Sequence, residues 1–145
     1  MKRVIAAVAA AVAVACATVL VPASPAAAAT PVCTGSVFKA TKGIDPFTGE
    51  RLSASVPASS GNVDCHLQSG VANAAVKVLQ RNLNDCYQTG LTVDGIYGPA
   101  TKAKIVSIQN ALGLSADGIY GPATRKGMSW ATRNDFNQLR CFQLL

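Results

Sequence analysis

The run Asp94-Gly95-Ile96-Tyr97-Gly98-Pro99-Ala100-Thr101 recurs letter for letter as Asp117-Gly118-Ile119-Tyr120-Gly121-Pro122-Ala123-Thr124, 23 positions later. A leucine stands three places ahead of each copy, at Leu91 and Leu114. Eight identities in one register mark an internal repeat, so this part of the chain must build two like units. Each copy reads as a turn, an apolar clip and a helix start. Asp-Gly is a tight-turn pair: the carboxylate can accept backbone N–H bonds, and glycine tolerates positive φ. Ile and Tyr offer apolar surface. Gly-Pro then opens a helix, with Pro99 or Pro122 at the first helical position, where a missing N–H costs nothing.

The residues around the copies carry helical spacing. Val76, Leu79, Leu83 and Cys86 share one face of a helix that begins after Ser69 and stops at Asn84, Asp85, Thr89 and Gly90. Thr101, Ile105, Ile108 and Leu112 form one face of a second helix, from Pro99 to about Leu112, with Gly113 as its stop. A third, shorter helix is expected from Pro122 to about Trp130, weakened by Gly127, with Met128 facing inward. The tail, Ala131 to Leu145, is too apolar to be free of the core. Residues 30 to about 68 are rich in Ser, Thr, Gly and Pro. There, Ser36–Thr41 and Leu52–Val56 look extended around the turn formers Gly43-Ile44-Asp45-Pro46-Phe47-Thr48-Gly49, which suits a β-hairpin or an irregular arm.

The start of the chain has the order of a secretory signal. Lys2 and Arg3 precede the uncharged run Val4–Val21, and Pro22, Ser24, Pro25 and the small residues Ala26–Ala29 follow. Cleavage is expected after Ala29. A retained membrane anchor and a lipoprotein cut before Cys16 are the alternatives: the run has 18 residues, the lower edge of spanning length, but is Ala-rich, and Ala13-Val14-Ala15-Cys16 is a poor lipobox. The expectation is a secreted protein, extracellular or wall-associated, with no stable membrane span after processing. Without Lys2 and Arg3 the formal charge of +6 falls to +4. That suits an anionic surface, but no Lys/Arg cluster marks a nucleic-acid site.

Cys33, Cys65, Cys86 and Cys141 remain, an even number that reads as two disulfides in an exported chain. Three pairings are open. Cys33–Cys65 with Cys86–Cys141 is favoured because each pair brackets one segment, and loops of that size contribute about 4 kcal/mol each in the chain-entropy model. Metal ligation is the weaker alternative, since no C-x-x-C occurs and His66 is the only histidine.

Taken in order, Val76-x-x-Leu79-Gln80-x-x-Leu83-Asn84, Leu91-x-Val93-Asp94-Gly95-x-Tyr97-Gly98-Pro99-x-Thr101, Ile105-x-x-Ile108-Gln109 and Gly113-Leu114-x-x-Asp117-Gly118-x-Tyr120-Gly121-Pro122-x-Thr124 resemble the type-1, three-helix peptidoglycan-binding domain. The resemblance covers roughly residues 70–130. It implies a mainly α fold, a small three-helix bundle made of two structural repeats, here with a disulfide-tethered N-terminal hairpin or arm. The organisation expected is a signal peptide at 1–29, an extension at 30–68, the binding domain at 69–130 and a packed tail at 131–145. It implies peptidoglycan, by stem peptide or glycan, as the partner. Family members usually hold wall hydrolases on their polymer. This chain reads as a stand-alone module, and the resemblance does not extend to residues 30–68.

Catalysis is not expected. A zinc hydrolase needs about three protein ligands, typically two of them His. A Ser-His or Cys-His hydrolase needs His beside a nucleophile, whereas His66 follows a cysteine assigned to a disulfide. A glycosidase needs two carboxylates of different character; Asp94 and Asp117 are the paired candidates, yet both stand in the same turn motif. Asp94, Gly95, Gly98, Pro99, Asp117, Gly118, Gly121 and Pro122 are therefore read as turn and structural residues. No cofactor or metal is expected. A wall ligand suits a shallow groove with aromatic faces and amide hydrogen-bonders. Tyr97 and Tyr120 are candidates, with core packing as the alternative role. Gln80 and Gln109 stand at the edges of the apolar faces, where each could bond ligand or backbone. Asn110 and Arg125 are weaker candidates, and Trp130 could close the core. The competing function is a secreted inhibitor or adaptor of a wall hydrolase, with the Cys33–Cys65 segment as its contact surface. A hydrolase with an unrecognised site is the third.

Overall fold

The computed structural model describes residues 29–145; the leader read at 1–29 lies, but for its last residue, outside the described residues. Strand β1 (Gly35–Ile44) and strand β2 (Arg51–Ala58) form an antiparallel hairpin, in register from Gly35↔Ala58 to Ala40↔Ser53, with a bulge before Ile44↔Arg51. Asp45 closes its turn: the carboxylate Oδ1 accepts from the N–H groups of Phe47 at 2.8 Å and Thr48 at 3.2 Å. Over the first six residues of β2 the buried side chains alternate at Leu52, Ala54 and Val56, the period expected of a strand with one face inward, and Pro57 and Ala58 are then both buried. The Cys33–Cys65 disulfide ties the segment that enters this hairpin to the loop that leaves it.

Helix α1 (Ala74–Tyr87) starts at Asn73, whose side chain accepts from Val76 N, a standard N-cap bond. Its Val76, Leu79 and Leu83 are fully buried. Helix α2 (Pro99–Ala111) buries Thr101, Ile105 and Ile108. Helix α3 is shorter than the expected span and runs only Pro122–Gly127, because Met128 is extended and Trp130 already belongs to a strand. Pro99 and Pro122 occupy the helix starts as read from the repeat.

The expectation of a mainly α fold is overturned. Three helices account for 28% of the structure and strands in two small antiparallel sheets for 30%, so the fold is mixed α/β. The main difference lies in the tail. Strands β3 (Trp130–Arg133) and β4 (Leu139–Phe142) pair as a second hairpin, in register from Trp130↔Phe142 to Arg133↔Leu139. Trp130 and Thr132 point inward and Arg133 outward, a period of two that is easily hidden in four residues. The turn between the strands is made by Asn134, whose Oδ1 accepts from Gln138 N, and by Asn137 at φ 58°. Cys86–Cys141 joins α1 to β4. The chain end then pairs with β1: Lys42 N–H donates to the Gln143 carbonyl at 2.8 Å and Leu145 N–H to that of Ala40. One core results, centred on Trp130, Tyr97, Tyr120, Leu79, Leu83 and Ile105, with Val56, Cys33 and Cys65 contributed by the N-terminal segment.

Candidate functional site

Each repeat closes through a buried glutamine. Gln80 on α1 places its Nε2 2.8 Å from Asp94 Oδ1, 3.0 Å from the Ile96 carbonyl and 3.3 Å from Thr101 Oγ1, and its Oε1 accepts from Gly95 N at 2.8 Å. Gln109 on α2 repeats the set on Asp117 Oδ1 (2.7 Å), the Ile119 carbonyl (3.0 Å), Thr124 Oγ1 (3.1 Å) and Gly118 N (2.9 Å). In both copies the aspartate also accepts from the N–H two residues on, at 2.8 Å. Those bonds hold the Asp94 carboxyl below the ordinary carboxylate range, the Ile96 N–H first and the Gln80 amide next. Gly95 and Gly118 take φ of 82° and 70°. A Cβ at Gly118 would come within 2.6 Å of the Lys102 stem, so glycine is required there twice over.

This geometry gives the glutamines and tyrosines, offered by the sequence as ligand contacts, work inside the fold. Gln80 and Gln109 are 2% exposed, with both ends of the amide engaged. Tyr97 and Tyr120 are fully buried. The Tyr97 hydroxyl donates to the Gly118 carbonyl at 3.0 Å, which couples the first repeat to the second. Tyr120 packs edge-on against Trp130, ring centres 6.1 Å apart, and its backbone pairs with Leu67. Burial raises both phenols well above their usual pKa. Arg125 is 5% exposed; its Nη1 donates to the Val63 carbonyl and to Asp64, at 2.9 Å from that carboxylate. Asn110 is exposed on α2.

Two of the surface grooves combine apolar surface with polar side chains. One, of about 330 Å³, lies between the end of α1 and α2. Tyr87, Ile108 and Leu112 supply its apolar part; Gln88, Thr89, Ser107 and Lys104 supply donors and acceptors. Tyr87 is held by its hydroxyl, which accepts from Ser129 N at 2.6 Å, and burial raises its pKa. Gln88 caps α1 in the left-handed region at φ 50°. Asn110 does not line this groove. The second groove, of about 460 Å³, lies at the seam of α3, β1 and the chain end. Sequence reasoning missed the first groove's residues. The signal available was Tyr87, an aromatic at a helix end that belongs to no repeated element.

Among the described residues no group of three or more His, Cys, Asp or Glu side chains comes together as a metal site. No helix among them is long and apolar enough to cross a membrane. Asp94 and Asp117, the two carboxylates of the repeat, are each tied into a separate turn.

The segment that builds both turns, both glutamine latches and the α1–α2 groove is the part of the chain that known proteins share. Residues 72–128 match the family model described as a putative peptidoglycan binding domain. A crystal structure of a peptidoglycan-binding protein from Clostridioides difficile, in complex with glutamine hydroxamate, is 28% identical over 57% of this chain, with a TM-score of 0.42. The match spans 61% of that chain. No curated protein matches this sequence.

Proposed function

We propose that this protein is a secreted, non-catalytic binder of bacterial cell-wall peptidoglycan, and that the α1–α2 groove receives the wall. The observation that carries the reading is the coincidence of the family match, 72–128, with the segment that forms the groove. Its lining combines an aromatic, aliphatic surface and short polar side chains, which suits the N-acetyl groups and peptide amides of the wall. The leader-like Lys2–Ala29 supports export, and so do two disulfides, which persist in oxidising compartments. Non-catalytic action is supported by Asp94, whose carboxyl is depressed, whereas a glycosidase acid needs a raised one. A single open groove binds weakly, and a polymer that repeats its epitope still retains the protein by rebinding.

The test is co-sedimentation with insoluble peptidoglycan. The disulfide-bonded protein should pellet at low and at moderate salt. Ser107→Trp, which fills the groove from an exposed position on α2, should leave the protein in the supernatant with its melting temperature unchanged. Pelleting at low salt alone would assign retention to net charge and defeat the groove. Zymography on peptidoglycan should show no clearing.

A second reading is an inhibitor or adaptor of a wall hydrolase. It is favoured by the phenylalanines of the hairpins: Phe38 is 79% exposed, Phe47 65% and Phe136 64%, and Phe47 and Phe136 pair edge-on at 4.7 Å. Exposed aromatics grouped in this way suit a protein contact. An inhibitor should change hydrolase rates at near-stoichiometric ratio without polymer.

A further inference from the structure

The seam groove is built differently from the α1–α2 groove, and mostly from residues outside the family domain. Lys39 and Ala40 come from β1, Val63 from the loop before Cys65, Arg125 and Lys126 from α3, and Leu144 and Leu145 from the chain end. Its walls are fixed by backbone pairing of Leu145 with Ala40 and by the Arg125 bonds to Val63 and Asp64. Arg125 is the centre of interest. Its Nη1 is engaged, but its Nε and Nη2 donate to nothing within the described chain. Among the described residues, the Tyr120 hydroxyl is the one fully buried side-chain polar atom without a partner. No Arg125 nitrogen is such an atom, so Nε and Nη2 keep a small solvent-facing area although the residue is only 5% exposed, and Arg125 lines the groove. The Trp130 indole N–H, which donates to the Arg125 carbonyl at 3.1 Å, fixes the backbone behind it.

Arg125–Asp64 is the ion pair found among the described residues, so neither Lys39 nor Lys126 is paired with a counter-charge. The groove thus joins two unpaired lysines and a held guanidinium to the apolar surfaces of Ala40, Val63, Leu144 and Leu145. A planar fork of donors matches a carboxylate in two parallel hydrogen bonds. The apolar surfaces would shelter a small aliphatic side chain beside that carboxylate. A phosphodiester polymer carries no such group.

We propose that this groove binds the free terminal carboxylate of a peptide ending in a small aliphatic residue. Arg125 takes the carboxylate, and Lys39 and Lys126 add long-range attraction. The inference rests on the wall-binding reading for the source of the peptide, the stem of the wall polymer, and adds a second contact made by the segments outside the family domain.

The experiment is a titration of the ¹⁵N-labelled, disulfide-bonded protein with acetyl-D-alanyl-D-alanine, with its C-terminal amide and with inorganic phosphate. The acid should shift the Arg125 Nε–H and the amides of Ala40, Arg125 and Lys126. The amide should bind at least about tenfold more weakly, because one charge-assisted contact is lost. The double variant Lys39→Gln/Lys126→Gln, at exposed positions, should weaken binding while melting as the parent does. Arg125→Lys, which keeps the charge and loses the fork, should weaken it further, with folding checked by circular dichroism. Absence of shifts at millimolar acid, equal binding of acid and amide, shifts confined to Tyr87 and Ser107, or equal binding of phosphate would each overturn the proposal. Because sedimentation with whole peptidoglycan is read separately, loss of the peptide site and loss of wall binding are told apart.

Discussion

The two copies of the repeat share eight letters and one latch, yet they are closed by different surroundings. In the first, 14 positions separate Gln80 from Asp94; in the second, 8 separate Gln109 from Asp117. The longer first connection needs its own organiser: Asn84 accepts from Leu91 N and from the Thr89 hydroxyl and donates to the Leu91 carbonyl, each at 2.7 Å. The second turns sharply at Gly113, φ 67°. Tyr97 finds the Gly118 carbonyl, while Tyr120 meets Trp130 and leaves its hydroxyl without a partner. Identical residues thus make the same latch bonds and different long-range ones.

Removing the latches should have the largest effect and sets the scale for the comparison. Gln80→Ala and Gln109→Ala each strip a buried carboxamide and leave a glycine N–H unpaired, a loss of about 3 kcal/mol in denaturant unfolding. Values more than about 1 kcal/mol apart would mean that the two latches are not equivalent. Next is Asn84→Ala, which should cost about 2 kcal/mol and has no counterpart in the second repeat.

The tyrosines test the divergence itself. Tyr97→Phe should cost about 1 kcal/mol, since the Gly118 carbonyl loses its donor. Tyr120→Phe should cost nothing, or stabilise by up to about 1 kcal/mol, because it removes a buried hydroxyl that has no partner. Equal losses in the two variants would break the contrast.

Titration gives two smaller, finer tests. The phenols of Tyr87, Tyr97 and Tyr120 are raised, chiefly by burial, so their contribution is intact below about pH 10 and is lost as pH climbs toward the raised values. Absorbance at 295 nm should therefore stay flat near pH 10 and rise in one step together with unfolding. Asp94 is depressed, so its contribution is intact above about pH 4 and is lost as pH falls through the lowered value. Asp94→Asn should flatten the acid limb of a stability–pH curve; an unchanged limb would show that the Ile96 and Gln80 bonds contribute little to the charged form.

Much of this was open to reading before any coordinates. Asp-Gly needs a turn with positive φ, Gly-Pro needs a helix start, and a Val76–Leu79–Leu83 face needs a core; all three requirements act within a few residues. The favoured pairings Cys33–Cys65 and Cys86–Cys141 are those of the structure. Residues 35–58 form the hairpin rather than the arm. Other features were not legible. The four residues of β3 are too few for a period to declare itself, and β4 carries no alternation at all in its burial. Gln80 stood equally well for ligand or backbone, because its partners Asp94, Ile96 and Thr101 lie 14 or more positions away. The α1–α2 groove was invisible for the same reason: Tyr87 and Ser107 meet across two helices.

By itself the sequence determined the twinned turns, the helix starts and the framework of cysteines, since each depends on backbone preferences or covalent chemistry carried by neighbouring residues. Tertiary structure alone decided that the tail becomes a hairpin, that its last residues pair with β1, and which surfaces stay open. Those outcomes depend on backbone hydrogen bonds between segments some hundred positions apart, such as Lys42 with Gln143. A strand edge takes whichever partner the rest of the core brings beside it, and no local pattern names that partner.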